Sequence, residues 1–143
     1  MKTHTFLSFV LLSLVVSCGT SNTTTKGQPF NLESTKWQTE ELNGRAIKSK
    51  DNSFTIEFAS DGRIAAKGSC NVIVGSYKQD LSGKSEKLTL SPMGLTRSAC
   101  PDMGVESEYV ATLELVTSYS VEDGILTLFN QQDKEVVRLR IVE

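Results

Sequence analysis

Residues 53–67 read SFTIEFASDGRIAAK, and this stretch decides the predicted fold. From Ser53 to Phe58, apolar and polar side chains alternate with a period of two, which is typical of a strand with one buried face. Asp61-Gly62 follows as a hairpin turn, because such turns need the positive φ angles that these residue types tolerate. Arg63–Lys67 then begins the returning strand. The stretch therefore predicts an antiparallel hairpin.

The same pattern recurs along most of the chain. A second Asp-Gly turn, at 123–124, separates two more alternating runs. Many short strands joined by tight turns favour an antiparallel barrel or sandwich. The other predicted strands are Trp37–Leu42, Val74–Gln79, Lys87–Leu90, Thr117–Glu122, Ile125–Phe129 and Val136–Val142.

One segment, Asp102 to Val116, has a helical period instead. Its predicted buried stripe consists of Val105, Tyr109, Leu113 and Val116. Glu106, Glu108 and Glu114 fall off this stripe, and Asp102 is a suitable N-terminal cap. We interpret the stripe as core packing, so that one helix covers an open end or a seam of the sheet.

Residues 1–17 have the features of a secretion signal. The apolar run Phe6–Val16 is too short to span a bilayer as a helix, which needs roughly 20 residues, but it suits the core of a signal peptide. It ends in Val15-Val16-Ser17-Cys18, which resembles the lipobox of bacterial lipoproteins. We therefore expect a lipid on Cys18 that anchors the protein to a membrane. The alternative is an ordinary secretory peptide cut near Ser17 or Cys18.

The sequence predicts three parts. Residues 1–17 form the lipoprotein signal peptide, and residues 18–33 form the lipidated N-terminus with a flexible tether, since residues 19–28 are polar and lack large apolar groups. Residues 34–143 form the folded domain. The expected location is the cell envelope, with the domain lipid-anchored to the membrane and facing the periplasm.

Composition excludes several function classes. The formal net charge of −2 becomes −3 once Lys2 is removed with the signal, and no basic cluster is present, so no nucleic-acid partner is expected. The single histidine, His4, also lies in the signal. Its loss removes histidine-based zinc sites, Ser-His-Asp triads and Cys-His pairs. We expect neither a metal nor a cofactor.

An ordered set of short motifs resembles the META domain family, which includes the heat-shock protein HslJ. The likeness covers roughly Leu32 to Glu143, with departures at Ser69 and at residues 72–74. It implies a mainly β fold, a lipocalin-like antiparallel β-barrel of about eight strands with one covering α-helix. The motifs are Trp37, Asn43-Gly44, Phe58 with Asp61-Gly62, Cys70-Asn71, Gly75, Tyr77, Thr96-Arg97, Ala99-Cys100 and Glu108.

The resemblance also implies a disulfide between Cys70 and Cys100. An oxidising compartment, an even pair and the absence of a Cys-x-x-Cys motif support the same pairing. The alternative is a reactive thiol.

Four residues are candidates for a polar site, namely Asn71, Tyr77, Arg97 and Glu108. The more ordinary interpretation pairs Arg97 with a carboxylate such as Glu108 and has Asn71 bind loop backbone. Glu106 and Glu108 lie on opposite sides of the predicted helix and do not converge on a substrate. The sequence therefore predicts no catalytic residues and no enzyme.

The function expected from these features is that of a non-enzymatic envelope lipoprotein. The family link suggests a stress-related binding or structural module, built as a monomeric domain that binds an envelope protein or a small molecule. One alternative is an inhibitor of a cell-wall lytic enzyme. Another is a carrier of a small apolar ligand, which would need an enclosed cavity inside the barrel.

Overall fold

The computed structural model describes residues 29–49, 52–82, 86–101 and 103–142. The predicted signal peptide, the lipidation at Cys18 and most of the predicted tether lie outside these ranges. Within them, no helical segment has the length and the hydrophobicity required to traverse a bilayer.

The described chain consists of short strands and one helix. Eight of the strands correspond to the predicted ones, and two additional strands contain only two residues each. The elements are β1 Thr35–Leu42, β2 Arg45–Ala46, β3 Thr55–Phe58, β4 Arg63–Lys67, β5 Val72–Asp80, β6 Lys87–Leu90, β7 Gly94–Leu95, α1 Met103–Leu113, β8 Val116–Glu122, β9 Ile125–Asn130 and β10 Glu135–Val142.

Eight strands close into an antiparallel barrel, which confirms the predicted fold class. The order is β1-β3-β4-β5-β6-β8-β9-β10, and β10 pairs back onto β1 from Lys36↔Val142 to Leu42↔Val137. The short strand β2 extends β1 as a hairpin, and β7 pairs with the first half of β5. The shortest pairing around the barrel is between β6 and β8, which share the single pair Lys87↔Ser118.

The two Asp-Gly turns form where predicted, with different geometries. At 123–124, both residues have positive φ, 49° and 76°, as a two-residue hairpin turn requires. At 61–62, only Gly62 does, with φ of 79°. β3 begins at Thr55, two residues later than predicted, because Phe54 has a left-handed φ of 54°.

Side chains fill the barrel, and the helix covers one end of it. Trp37 and Phe58 are fully buried inside. At the covered end, the ring of Tyr109 packs edge-on against Phe54 at 5.6 Å, and its hydroxyl accepts a hydrogen bond from Thr39 at 3.0 Å. Burial raises the pKa of Tyr109 to about 12, despite this hydrogen bond.

The segment that precedes β1 closes the opposite end. Leu32 is fully buried there, its N–H donates to Gln79, and the Tyr119 hydroxyl donates to the Phe30 carbonyl at 2.7 Å. The prediction that the tether extends to Glu33 was therefore wrong. Residues 29–33 belong to the domain, because the Leu32 side chain covers apolar surface that would otherwise be exposed at the open end of the barrel.

The helix also differs from its prediction. It ends at Leu113, and Val116 opens β8 instead. Val105 is 38% exposed, whereas Glu106 is only 2% exposed, so the predicted stripe was one residue off at the start of the helix. Asp102, the predicted cap, lies outside the described residues.

Every core residue that the structure describes lies between Leu32 and Leu139. Residues 29–143 therefore contain the whole described core, together with the barrel closure and both end covers. A segment with its own core and closed hydrogen-bonding edges folds as one unit.

Candidate functional site

A disulfide joins Cys70 to Cys100, as the resemblance implies. The Sγ atoms are 2.23 Å apart and the Cα atoms 6.3 Å apart. Cys70 lies two residues before β5, and Cys100 lies three residues before α1. The bond therefore ties the helix-covered end of the barrel wall to the approach of the helix.

The carboxylate of Glu106 lies beneath this disulfide. Its Oε2 accepts hydrogen bonds from the N–H groups of Cys70, at 3.0 Å, and Asn71, at 2.9 Å. Its Oε1 accepts one from the Asn71 side-chain amide at 2.5 Å. Burial opposes ionisation most strongly, but the hydrogen bonds outweigh it together and hold the pKa of Glu106 below its usual value of 4.5.

Gly68 leaves the space that this carboxylate occupies. A Cβ atom at position 68 would lie 2.2 Å from Oε2 of Glu106 and 2.6 Å from its Cγ. The backbone and the carboxylate can approach so closely only because glycine has no side chain.

Asn71 completes the cluster by holding the loop before the helix. Its Nδ2 donates to the Ser98 carbonyl at 3.1 Å, while its Oδ1 accepts from the Ser98 N–H at 2.8 Å and from the Thr96 hydroxyl at 2.9 Å. The residue is 3% exposed. These contacts confirm the interpretation that Asn71 binds loop backbone. We call Cys70, Cys100, Asn71, Ser98 and Glu106 the disulfide cluster.

No side-chain contact joins the other three predicted site residues to Asn71 or to one another in the described ranges, so the four candidates do not form one polar site. Tyr77 packs against Phe58 with ring centroids 5.0 Å apart, and its hydroxyl donates to the Ala59 carbonyl at 2.9 Å. Arg97 is exposed and forms no ion pair with a residue that the structure describes.

The predicted Arg97–Glu108 pair is also wrong. Glu108 instead accepts hydrogen bonds from Arg45 at 2.5 Å and from Asn43 at 2.9 Å, and the Arg45 bond lowers the pKa of Glu108 most. Glu108 lies in α1 and points towards the β1–β2 hairpin, where Arg45 and Asn43 bind it, whereas Arg97 lies on the loop before α1.

Glu106 is the residue that sequence reasoning missed. Glu106 lies three residues before Tyr109, so the two share one helix face, and this spacing could have indicated that Glu106 is buried. Polarity argued against burial, because a buried carboxylate is stable only where donors compensate it. Those donors come from residues 70 and 71, and the periodicity of the helix gives no information about contacts with such distant residues.

An open cleft of about 500 Å3 lies at the helix-covered end of the barrel. We call it the mouth cleft. It runs between the β1–β2 hairpin and the first turn of α1, beside Ser69 and hence next to the disulfide cluster. Apolar and basic side chains predominate in its wall, which consists of Leu42, Arg45, Ala46, Ile47, Lys48, Ser53, Phe54, Lys67, Ser69 and Val105.

The sequence and this architecture agree with one known family. The META domain family model matches residues 30–143. The chain belongs to the META domain family. The match begins within the segment that packs over the end of the barrel, in agreement with the burial of Leu32.

Solved structures share the fold of this META domain at low sequence identity. A DUF4847 family protein from Bacteroides vulgatus is 17% identical, with a TM-score of 0.58 over 76% of this chain and 93% of its own. A protein from Burkholderia xenovorans, solved by NMR, is 21% identical, with a TM-score of 0.61 over 95% of this chain and 99% of its own. No curated protein matches the chain.

The geometry limits what the META domain can do chemically. Across the described ranges, no three His, Cys, Asp or Glu side chains are grouped so that they could hold a metal ion. Both oxygens of Glu106 already accept hydrogen bonds, and its lowered pKa makes it a poor proton acceptor. The disulfide cluster therefore joins the loop before β5 to the helix, and the mouth cleft lies beside it.

Proposed function

We propose that this META domain protein is a non-enzymatic lipoprotein of the cell envelope, anchored through Cys18, that acts as a stress-related binding module. The mouth cleft is its binding surface. The observation that carries this proposal is the contrast between a barrel filled with side chains and an open cleft at one of its ends. Its volume lies within the range of about 300–1,000 Å3 found for small-molecule sites.

The positions of the carboxylates support a role without turnover. Two carboxylates can serve as an acid and base pair only if both reach the same substrate. Glu106 is engaged by Cys70 and Asn71, whereas Glu108 is engaged by Arg45 and Asn43. Each carboxylate therefore has its own set of donors, and no pair of them lines the mouth cleft.

The filled interior argues against a carrier that encloses an apolar ligand within the barrel. Trp37, Phe58 and Tyr109 occupy the space that such a ligand would need. Inhibition of a cell-wall lytic enzyme remains a second candidate for the same envelope location. Slowed lysis by lysozyme-like enzymes in the presence of the purified domain would favour it, and no effect across several such enzymes would remove it.

The binding role can be tested by capture from envelope extract. The domain, residues 29–143, is produced by secretion and immobilised, and compared with a Lys48→Glu/Val105→Asp variant that alters the mouth cleft. We expect the unmodified domain to retain a bound component that this variant loses. A Lys78→Glu variant, on the outer face of β5, is the control and should retain the component. Equal capture by all three, or capture by none, would contradict the proposal.

The anchor needs a separate test, since Cys18 lies outside the described residues. The full chain is expressed in a bacterial host, with Cys18→Ser as the matched variant. We expect the unmodified chain to fractionate with membranes and to carry the mass of attached acyl chains on Cys18. Recovery of an unmodified soluble protein would contradict lipid anchoring.

A further inference from the structure

The wall of the mouth cleft divides into an apolar floor and a basic rim. The floor consists of Leu42, Ile47, Phe54 and Val105. Leu42 and Phe54 are part of the barrel core, whereas Val105 is 38% exposed although it is apolar. When a ligand covers an exposed apolar side chain and removes it from water, the free energy of the complex falls.

The rim carries three cations, Arg45, Lys48 and Lys67, and no acidic side chain contributes to the described wall. This sign is opposite to the net charge of the whole chain, −2. Glu108 holds the Arg45 guanidinium from outside the cleft at 2.5 Å. Lys48 forms no ion pair with a residue that the structure describes. Positive side chains around a recess attract anions into it.

We infer that the mouth cleft binds a single-chain amphiphile whose head is anionic, a carboxylate or a phosphate. The apolar chain packs on Phe54, Ile47 and Val105, and the head lies at the rim between Lys48 and Lys67. This inference rests on the proposed function, because it names the chemical class of ligand for the same cleft.

The shape of the site favours a separate amphiphile over the surface of a bilayer. The cleft is a recess between a hairpin and a helix end, and two of its apolar residues, Leu42 and Phe54, are buried. A protein that docks on a bilayer presents its apolar residues outward, into the headgroup region. A recess instead takes in one chain that has left its membrane or micelle.

NMR titration of the oxidised domain, residues 29–143, tests the inference. The probes are octanoate and octyl phosphate, below their micelle concentrations, with octyl glucoside as the neutral probe and octyltrimethylammonium as the cationic one. We expect amide shifts at residues 46–48, 53–54 and 105 with the two anions only. Each added methylene should strengthen binding by up to about fourfold. Equal binding of the neutral probe, or shifts confined to other regions, would overturn the inference.

Paired variants separate the rim from general charge effects. Lys48→Gln/Lys67→Gln removes two rim charges, and Lys36→Gln/Lys78→Gln removes two charges remote from the cleft. We expect the rim pair to weaken octanoate binding by roughly tenfold or more, and the remote pair to leave it unchanged. Equal losses in both pairs would overturn the inference, because they would indicate non-specific attraction.

A binding measurement with lipid vesicles distinguishes a free amphiphile from a bilayer surface. Vesicles of phosphatidylglycerol carry the same anionic head chemistry in a bilayer. If the domain binds these vesicles while octanoate and octyl phosphate cause no shifts, the inferred occupant is wrong. That result would leave the proposed binding role in place, whereas loss of all capture from envelope extract would remove the proposed function itself.

Discussion

Glu106 and Asn71 are joined by two hydrogen bonds, one from the Asn71 N–H to Oε2 at 2.9 Å and one from its side-chain amide to Oε1 at 2.5 Å. The pair connects the first turn of the helix to the start of β5. Asn71 also hydrogen-bonds to Ser98, so this one residue holds both the helix and the loop that carries Cys100. The clamp on the helix is therefore a polar one.

Replacement of Glu106 by glutamine should weaken this clamp. An amide cannot accept hydrogen bonds at both positions, so at least one donor of residues 70–71 loses its partner. We expect Glu106→Gln to lower the free energy of unfolding by about 1.5–3 kcal/mol, the range for hydrogen bonds to charged groups. Urea denaturation of the oxidised domain measures this change in the free energy of unfolding. Glu108→Gln is the matched control and should cost far less, because Glu108 faces solvent.

Gly68 should tolerate no side chain. We expect Gly68→Ala to lower stability by at least roughly 1–3 kcal/mol, because its Cβ would displace the Glu106 carboxylate. Gly104→Ala is the control: a Cβ there meets nothing within 4 Å, and alanine in the helix should add about 0.5–1 kcal/mol.

The double variant Gly68→Ala/Glu106→Ala gives a sharper test of that explanation. Removal of the carboxylate creates room for the Cβ, so the combined loss should be smaller than the sum of the single losses. Additive losses would show that Gly68 is required for another reason.

Acid should destabilise the domain partly through Glu106. Its pKa is lowered in the folded state, so its contribution to stability is present above its usual pKa of 4.5 and is lost as the pH falls through the lowered value. Comparison of unfolding free energies at neutral pH and in this acid range measures the loss. We expect a smaller loss in Glu106→Gln, and an identical pH dependence would contradict the assignment.

The disulfide should stabilise the domain and leave no titratable thiol. The two cysteines are 30 residues apart, so the chain-entropy model gives a contribution of roughly 3–4 kcal/mol. Reductant and the Cys70→Ser/Cys100→Ser variant should lower the urea midpoint by similar amounts. Without reductant, the domain should be two mass units lighter than its reduced form, and two free thiols would contradict the prediction.

Leu32 should be essential for the closed end of the barrel. We expect Leu32→Ala to cost about 2–5 kcal/mol in the free energy of unfolding, because a fully buried side chain leaves a cavity when truncated. Glu33→Ala, at the exposed neighbouring position, is the control. If the two variants were equally stable, residues 29–33 would belong to the tether after all.

The predictions from sequence that succeeded concern local patterns. Strands such as Arg63–Lys67 and Lys87–Leu90 have the bounds that alternation indicates, because each strand buries every second side chain. The short strands β2 and β7 carry too few residues to show a period. Their pairing depends on neighbours, β1 and β5, that already hold their backbone groups in position.

The candidate site was harder to predict because its contacts join distant parts of the chain. Asn71 was correctly assigned to loop backbone, since a short amide side chain before a strand commonly binds nearby turns. Glu108 was assigned to Arg97, but Arg45 reaches it instead, from the β1–β2 hairpin. An exposed carboxylate pairs with whichever cation the fold brings close, and residue type alone does not distinguish two arginines.

The sequence by itself determined the eight barrel strands, the two Asp-Gly turns, the family and the pairing of Cys70 with Cys100, because these follow from periodicity, turn chemistry and an ordered set of motifs. Only the tertiary structure decided how the barrel closes, why Glu106 is buried and where the mouth cleft lies. Barrel closure pairs β1 with β10 through backbone groups that every residue shares, so no local pattern marks the partner. The burial of a carboxylate depends in the same way on donors more than thirty residues away, which exist only once the chain has folded.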